Sequence, residues 1–552
     1  MRVNTTPDNV QLIGGEMLLW SDLTQARDWG AVATQLVSLL VPERGRVLVV
    51  GPHPQGLFDL VAARAGSLSA LLRSYPDACA LATRHPAASV YCGRLDTLAQ
   101  AAPYDLVLAF DGIAALHSAE EPPQTWRETL AALSELVAEG GRLVLGVEND
   151  LGVDRFVSAR PAGREGDDSQ WTPHGFDVTY PNGPETVELE LHALRFATET
   201  CYAAYPTREA PRALLATHVL AQRPPDALAV PLSARGYDAR MIVADPLHLT
   251  RTAFRHDLAD RLAPLWVTVA AKGPVAAHHA ILPMGLLQSG PVVHEVVYGG
   301  HGWSRTVMSA PPAAGRVRLA DPAARTPIPH GRVLEEILLE GCARDDLRAL
   351  RRTFAVLGAW VKGEDPAVAV FGTTDNLVWD GERLRLAEEG WTLDDAPAVE
   401  VVLCRILWRF AVRLLAAGHH HPWPWPVEAD QLALTLAGMC GIPCDKEHLV
   451  AAVELEEEIG AVIEPGQTPP DYRELLDARD HLHRRLTDSQ ARVSRLETKL
   501  TYRERDLRKT KAKLKKAQRK AQAVRRSLRH RLSRRLARPR RLARRVLRTF
   551  SG

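Results

Sequence analysis

Short apolar runs that stop at a glycine or a carboxylate recur through the first third of the chain. Residues 46–50 are followed by Gly51-Pro-His-Pro-Gln-Gly56, residues 104–110 by Asp111-Gly112, and residues 143–147 by Glu148-Asn149. Runs at 68–72 and 90–92 complete a set of five expected strands. The segments between them carry apolar residues at helical spacing: 57–65, 75–85 and 125–138, the last with Leu130, Leu133, Leu136 and Val137 on one face. Residues 12–41 also read as helix, through Leu12, Leu19, Leu23, Val32, Leu36 and Leu40. Strand and helix in alternation predict a parallel α/β sheet of the nucleotide-binding type, whose ligands bind beyond the carboxyl ends of the strands.

Residues 200–206 and 212–221 read as two more strands, close enough to form a hairpin, and Arg223-Pro-Pro-Asp226 as a linker. Strands are expected at 266–272, 292–299 and 304–309, then mostly helix from 332 to 462, with a second linker at 465–471. From Leu482 to Leu528 apolar positions alternate at spacings of four and three, a heptad seam in which Ser489, Arg503 and Thr510 fill the polar places. That pattern predicts a coiled coil, with a single solvated helix as the alternative. The expected organisation is a sheet domain over 1–222, an α+β domain over 227–464, a coiled coil over 471–528 and a basic amphipathic tail over 529–552.

Charge sharpens this division. The net charge is only +2, yet residues 503–548 hold 22 Lys/Arg against Glu504 and Asp506, so this stretch carries +20 and the remainder −18. The basic stretch calls for an anionic partner. Leu528, Leu532 and Leu536 share one helical face before Pro539 interrupts the helix, which suits an anionic membrane surface. Nucleic acid is the rival partner, but no aromatics other than Phe550 are interleaved for base stacking. A solvated charge run is the third reading. The N-terminus has no apolar core of a signal peptide, and no apolar run approaches the roughly 20 residues of a membrane span, so a cytoplasmic protein, peripheral on the inner membrane face, is expected. Seven scattered cysteines suit a reducing compartment, and Cys440 and Cys444 read as buried thiols rather than metal ligands.

The loop after the first strand is neither G-x-G-x-x-G nor a P-loop. With the fourth strand ending at Asp111, the fifth preceded by Glu139-Gly140-Gly141, and the pair of strands after it, residues 30–222 resemble the class I S-adenosylmethionine-dependent methyltransferases. The resemblance implies a Rossmann-like methyltransferase sheet and S-adenosylmethionine as cofactor, taken by Gly51, Pro52, His53, Gly56, Arg73, Asp96 and Asp111. Asp96 stands where the family contacts adenine and Asp111 where a substrate-side residue sits; both are also ordinary strand-end polar residues. His53 and His117 are candidate bases near neutral pH, or loop residues facing solvent.

The chain departs from the family at several of these places. Val49 replaces the usual acid of the first strand, and Pro52 and Pro54 remove two backbone donors from a loop that usually carries three glycines. Arg73 replaces the acid that accepts the ribose hydroxyls, and a guanidinium cannot accept hydrogen bonds. Farther on, Asp375 to Trp391 resembles the catalytic and metal loops of kinase-like domains, with Asn376 as the metal asparagine and Glu388 near the metal aspartate. The catalytic aspartate's place holds Phe371, which cannot take a proton. A non-catalytic kinase-like module and an unrelated α/β fold both remain open for 227–464. The order methyltransferase, kinase-like module, coiled coil is similar to the kinase–methyltransferases that terminate O-antigen chains. Two functions follow as expectations: a methyltransferase acting on a small-molecule or glycan acceptor in surface-glycan or secondary-metabolite assembly, or a non-catalytic scaffold made homo-oligomeric by the coiled coil.

Overall fold

A computed structural model describes residues 6–19, 21–22, 27–98, 102–113, 116, 124–157, 177–233, 244–274, 281–300, 302–310, 315–321, 323–424, 427–463 and 472–548. His117, the Gly/Asp-rich stretch 162–170 and the expected linker 465–471 lie outside them. The chain divides into two units, Met1–Pro469 and Pro470–Gly552.

In the first unit, strands β1 (Val10–Gly14), β2 (Arg46–Val50), β3 (Ser67–Leu72), β4 (Ser89–Gly93), β5 (Tyr104–Ala109) and β6 (Val137–Glu148) lie parallel in the order β1-β4-β3-β2-β5-β6. Val47, Leu48, Val49 and Val50 are all fully buried. A strand covered on both faces needs such an unbroken apolar run. Helices Gly30–Leu40, Gln55–Arg64, Tyr75–Arg84 and Trp126–Glu135 connect the strands. The last opens on a capping box, Thr125 with Glu128, which satisfies its first free N–H groups. Gly146 is required where β6 passes the end of β5: a Cβ there would lie 1.8 Å from the Phe110 carbonyl oxygen.

The stretch read as one helix over 12–41 is instead β1, an irregular segment and the helix Gly30–Leu40. Gly14 and Gly15 both have positive φ and end the strand, and Val10 pairs with Val90, which draws this segment to the sheet edge.

Beyond β6 the sheet turns antiparallel. β7 (Phe196–Tyr205) and β8 (Ala213–Ala216) form the expected hairpin, Tyr202 opposite Ala216. The chain then turns into the short helix Thr217–Leu220 where strand was expected to continue. β9 (Leu265–Lys272) inserts between β6 and β7, pairing Val144 with Val269 on one side and Tyr202 with Val267 on the other. All eight β9 residues are buried. β10 (Gly285–Ser289), β11 (Val292–Gly299) and β12 (Gly302–Ser309) extend the sheet beyond β8. β13 (Val317–Leu319) lies in a separate two-stranded sheet with Trp391–Leu393, and β14 (Thr326–Pro327) closes the large sheet at thirteen strands. The strands expected to open a second domain at 227 therefore join the first sheet, because an open edge at β6 and at β8 is covered by pairing with them.

The remainder of the first unit is chiefly helical, with Leu334–Ala343, Leu347–Gly363, Val399–Ala416, Ala429–Cys440 and Lys446–Ile463 packed around Phe354 and Phe410. The described residues of the second unit form one helix, Tyr472–Arg548, of 77 residues. It spans about 115 Å at 1.5 Å per residue. It continues through Pro539, where an interruption was expected. Among the described residues no helix is long and apolar enough to cross a membrane.

Candidate functional site at the carboxyl edge of the sheet

Strand β2 ends on Gly51, whose φ of +82° turns the chain and whose N–H bonds the Leu71 carbonyl at 2.9 Å. Gly51, Pro52 and His53 are buried, and Gly56 lies exposed in the following helix. His53 is wholly buried, edge-on to Phe58 and Phe110, with Nδ1 3.1 Å from the Gly51 carbonyl. Burial pushes its pKa below the ordinary value, against the pull of Asp111 and of the Gly51 carbonyl. His53 is therefore neutral at pH 7, and its Nε2 is shielded with no hydrogen-bond partner among the described residues. The alternative of a loop histidine facing solvent is overturned by this burial.

Asp111 follows β5 and is held from the N-terminal segment. Trp29, 2% exposed, donates from Nε1 to its Oδ1 at 2.6 Å, and the Arg27 N–H reaches Oδ2 at 3.4 Å. The Arg27 guanidinium lies 3.5 Å from Asp111 and pairs with Glu148 at the end of β6. Burial opposes its charge, but Glu148 and Asp111 outweigh that and hold it protonated. Glu148 also meets Arg208 at 3.3 Å, and Arg208 forks onto Asp154 at 2.7 and 2.9 Å. Tyr180 donates to the Glu148 carbonyl at 3.1 Å. Arg27, Trp29, Glu148, Tyr180 and Arg208 were not picked out from the sequence. Their signals were an acid ending a strand (Glu148) and a tryptophan in a polar stretch.

Arg73 ends β3, and its environment explains why the cation is tolerated. Met17 bridges to this strand end, its N–H bonding the Arg73 carbonyl at 2.7 Å. That brings Asp22 into place: Arg73 grips its two oxygens at 2.9 and 2.7 Å. Asp77 in turn accepts from the Asp22 N–H and the Ser21 hydroxyl, both at 2.7 Å. Asp96 is exposed and bound by Arg94, Nε to Oδ1 at 2.8 Å, which with lesser help from other contacts holds its carboxyl below the ordinary range. The structure thus joins Gly51, His53 and Asp111 in one buried cluster, while Arg73 and Asp96 each form their own ion pair.

The sheet is Rossmann-like and consistent with a methyltransferase fold. No family model matches the sequence, and no curated protein matches it significantly. Solved structures similar to it include N-methyltransferase NodS from Bradyrhizobium japonicum WM9 with S-adenosyl-L-homocysteine, at 18% identity over 32% of this chain and 80% of that one, TM-score 0.23. A TehB-like SAM-dependent methyltransferase from Corynebacterium glutamicum is similar at 12% identity over 44% and 87%, TM-score 0.23. Geranyl diphosphate methyltransferase in complex with SAM is similar at 14% identity over 44% and 84%, TM-score 0.25. At these scores the likeness carries no argument, and the assignment rests on the chain's own strand order.

The fit to S-adenosylmethionine is uneven. At the β2 and β5 ends, Arg27 Nη1, a donor, and His53 Nε2, an acceptor in the neutral ring whose Nδ1–H faces the Gly51 carbonyl, are both buried without hydrogen-bond partners among the described residues, which suits a ligand carrying both a carboxylate and an N–H donor. At the β3 end Arg73 stands in place of the family's ribose-binding acid, and the nearby Asp22 is taken up by its guanidinium.

In the kinase-like stretch, Asn376 is a backbone clasp. Its amide nitrogen donates to the Phe371 and Glu388 carbonyls at 2.9 and 3.3 Å, and its oxygen accepts from the Glu388 N–H at 2.8 Å. The amide implied as a metal ligand is committed to the chain. Glu388 accepts from Ser289 and from Trp391 Nε1, and Phe371 stacks on Trp391 with ring centroids 6.4 Å apart. Nearby, Glu335 and Asp375 share Arg413: Nη2 lies 3.0 Å from Glu335 Oε1, while Nη1 bonds Asp375.

Proposed function

We propose that residues 1–469 form an S-adenosylmethionine-dependent methyltransferase with an altered cofactor grip, in which the donor is taken at the carboxyl edge near Gly51, His53 and Asp111. The observation that carries this is the pair of solvent-shielded polar atoms near Asp111, Arg27 Nη1 and His53 Nε2, which make no hydrogen bond among the described residues, although Nη1 stands 3.5 Å from Asp111 Oδ1. Leaving such a group unsatisfied costs about 1–3 kcal/mol, which a ligand carboxylate at Arg27 and a ligand N–H donor at His53 would relieve. When bound, the cofactor supplies an electrophilic methyl group. Arg27 would hold the carboxylate, and the Trp29–Asp111 bond would keep the N-terminal segment over the site and exclude water. Transfer by proximity and orientation needs no obligatory base, in keeping with a neutral, buried His53. A small-molecule or glycan acceptor in surface-glycan or secondary-metabolite assembly is the acceptor that the sequence resemblance implies.

A non-catalytic scaffold is the second reading, favoured by the Arg73–Asp22 pair, which leaves the ribose hydroxyls without their usual acceptor. Isothermal titration of the full chain with S-adenosylmethionine and S-adenosylhomocysteine separates the two. The expected result is saturable heat, weakened about tenfold or more by Arg27→Ala and little changed by Asp96→Asn. No heat with either ligand overturns the methyltransferase reading and favours the scaffold.

A further inference from the structure

The helix Tyr472–Arg548 carries an apolar seam along the heptad positions read from the sequence. Leu486, Val493, Leu500, Leu507 and Leu514 are each between 46% and 61% exposed. We propose that the seam is covered by a second copy of this chain, aligned parallel and in register as a two-stranded coiled coil. This inference is independent of the methyl-donor reading.

Charge complementarity decides the occupant and its direction. Taking Leu486, Val493, Leu500, Leu507 and Leu514 as a positions places Leu482, Ser489, Leu496, Arg503 and Thr510 at d. Arg492, Lys499 and Asp506 then fall at g, and Glu497, Glu504 and Lys511 fall at e, each five residues farther on. In a parallel, in-register pair a g residue neighbours the e residue five positions later on the other helix. Arg492 meets Glu497, Lys499 meets Glu504, and Asp506 meets Lys511, so three consecutive contacts are attractive and each occurs twice.

The placement of the acids makes this pattern informative. Glu504 and Asp506 are the only acids between residues 503 and 548, and both fall on the flanking positions. Each has a basic neighbour across the pair, Lys499 for Glu504 and Lys511 for Asp506, so the order of signs from g to e reverses between the two contacts, which a uniformly basic solvated helix does not require. Arg503 at a d position favours two strands over three. A guanidinium can reach water from the rim of a two-stranded seam but is enclosed in a wider core.

Sedimentation equilibrium and cross-linking of the full chain test the proposal. The expected mass is about twice 60.7 kDa. Leu486→Cys should form an intermolecular disulfide on mild oxidation, above the background of the wild-type chain. An antiparallel pair would hold those two sulfurs roughly 57 Å apart at 1.5 Å per residue. Glu504→Lys should weaken association about tenfold, and Lys499→Glu combined with Glu504→Lys should restore it. A monomeric or trimeric mass, no cross-link through Leu486→Cys, or a double variant as weak as Glu504→Lys overturns the proposal.

Discussion

Replacing Glu335 by glutamine is expected to stabilise the first unit increasingly as pH rises from about 5 to about 8. Glu335 and Asp375 compete for one guanidinium, that of Arg413. Burial drives the Glu335 carboxyl up from 4.5 to about 7, with Arg413 pulling the other way and Asp375 and Asp245 adding to the rise. Asp375 moves the opposite way, well below its ordinary range: burial resists, but Arg413 and Arg409 prevail. The pair thus holds one charge on Asp375 and a proton on Glu335 near neutrality. A carboxyl whose folded pKa is raised binds more protons folded than unfolded, so stability falls as pH climbs from the unfolded value to the folded one. The rise from 4.5 to about 7, at about 1.4 kcal/mol per pH unit, amounts to about 3 kcal/mol. Arg413 is 36% exposed, so solvent screening brings this nearer about 2 kcal/mol. Glutamine keeps the shape and removes the titration. Urea denaturation of wild type and variant at matched pH gives the difference, in which other carboxylates cancel. The variant's advantage should grow by about 2 kcal/mol across the range. A difference that is flat, or that moves toward the wild type at high pH, refutes the shared-guanidinium account.

Trp29→Phe should keep most of the packing against Phe110 but deprive Asp111 of its indole donor, lowering urea stability by about 1.5–3 kcal/mol; an unchanged midpoint would show that the bond contributes nothing. Lys272→Met should destabilise by about 1–3 kcal/mol per orphaned acceptor, because the buried Nζ donates to the Ser134 and Val137 carbonyls at 2.7 and 3.1 Å; hydrogen exchange in the Trp126–Glu135 helix should rise with it. For the basic helix, the full chain should co-sediment with vesicles containing anionic lipid and not with neutral ones, and lose this as salt rises. Tighter retention on duplex DNA than on anionic vesicles would favour nucleic acid instead.

Five of the six parallel strands were legible as apolar runs, all but β3 closed by glycine or an acid, as at Val47–Val50 before Gly51. β1 was hidden: only Val10 of its five residues is buried, so no strand period stands out. The hairpin of β7 and β8 could be read locally, but the place of β9 could not. A strand announces itself by composition, whereas its neighbours are set by pairing across sequence gaps. The site divides in the same way. Gly51, His53 and Asp111 lie at strand ends that can be counted along the chain. Arg27, Glu148 and Arg208 become partners only once the strands are in place, since an ion pair between residues 60 or 121 positions apart leaves no local trace.

The position of β9 also governs how this protein can be made. Leu265–Lys272 completes hydrogen bonding for both β6 and β7, yet it follows Glu148 by more than a hundred residues. At roughly 5–20 residues per second, a ribosome takes on the order of ten seconds to supply it. During that interval the nascent sheet offers β6 an open hydrogen-bonding edge, a surface prone to pair with other chains. A truncation at the Arg223–Asp226 segment, although it looks like a domain boundary, would make that transient exposure permanent.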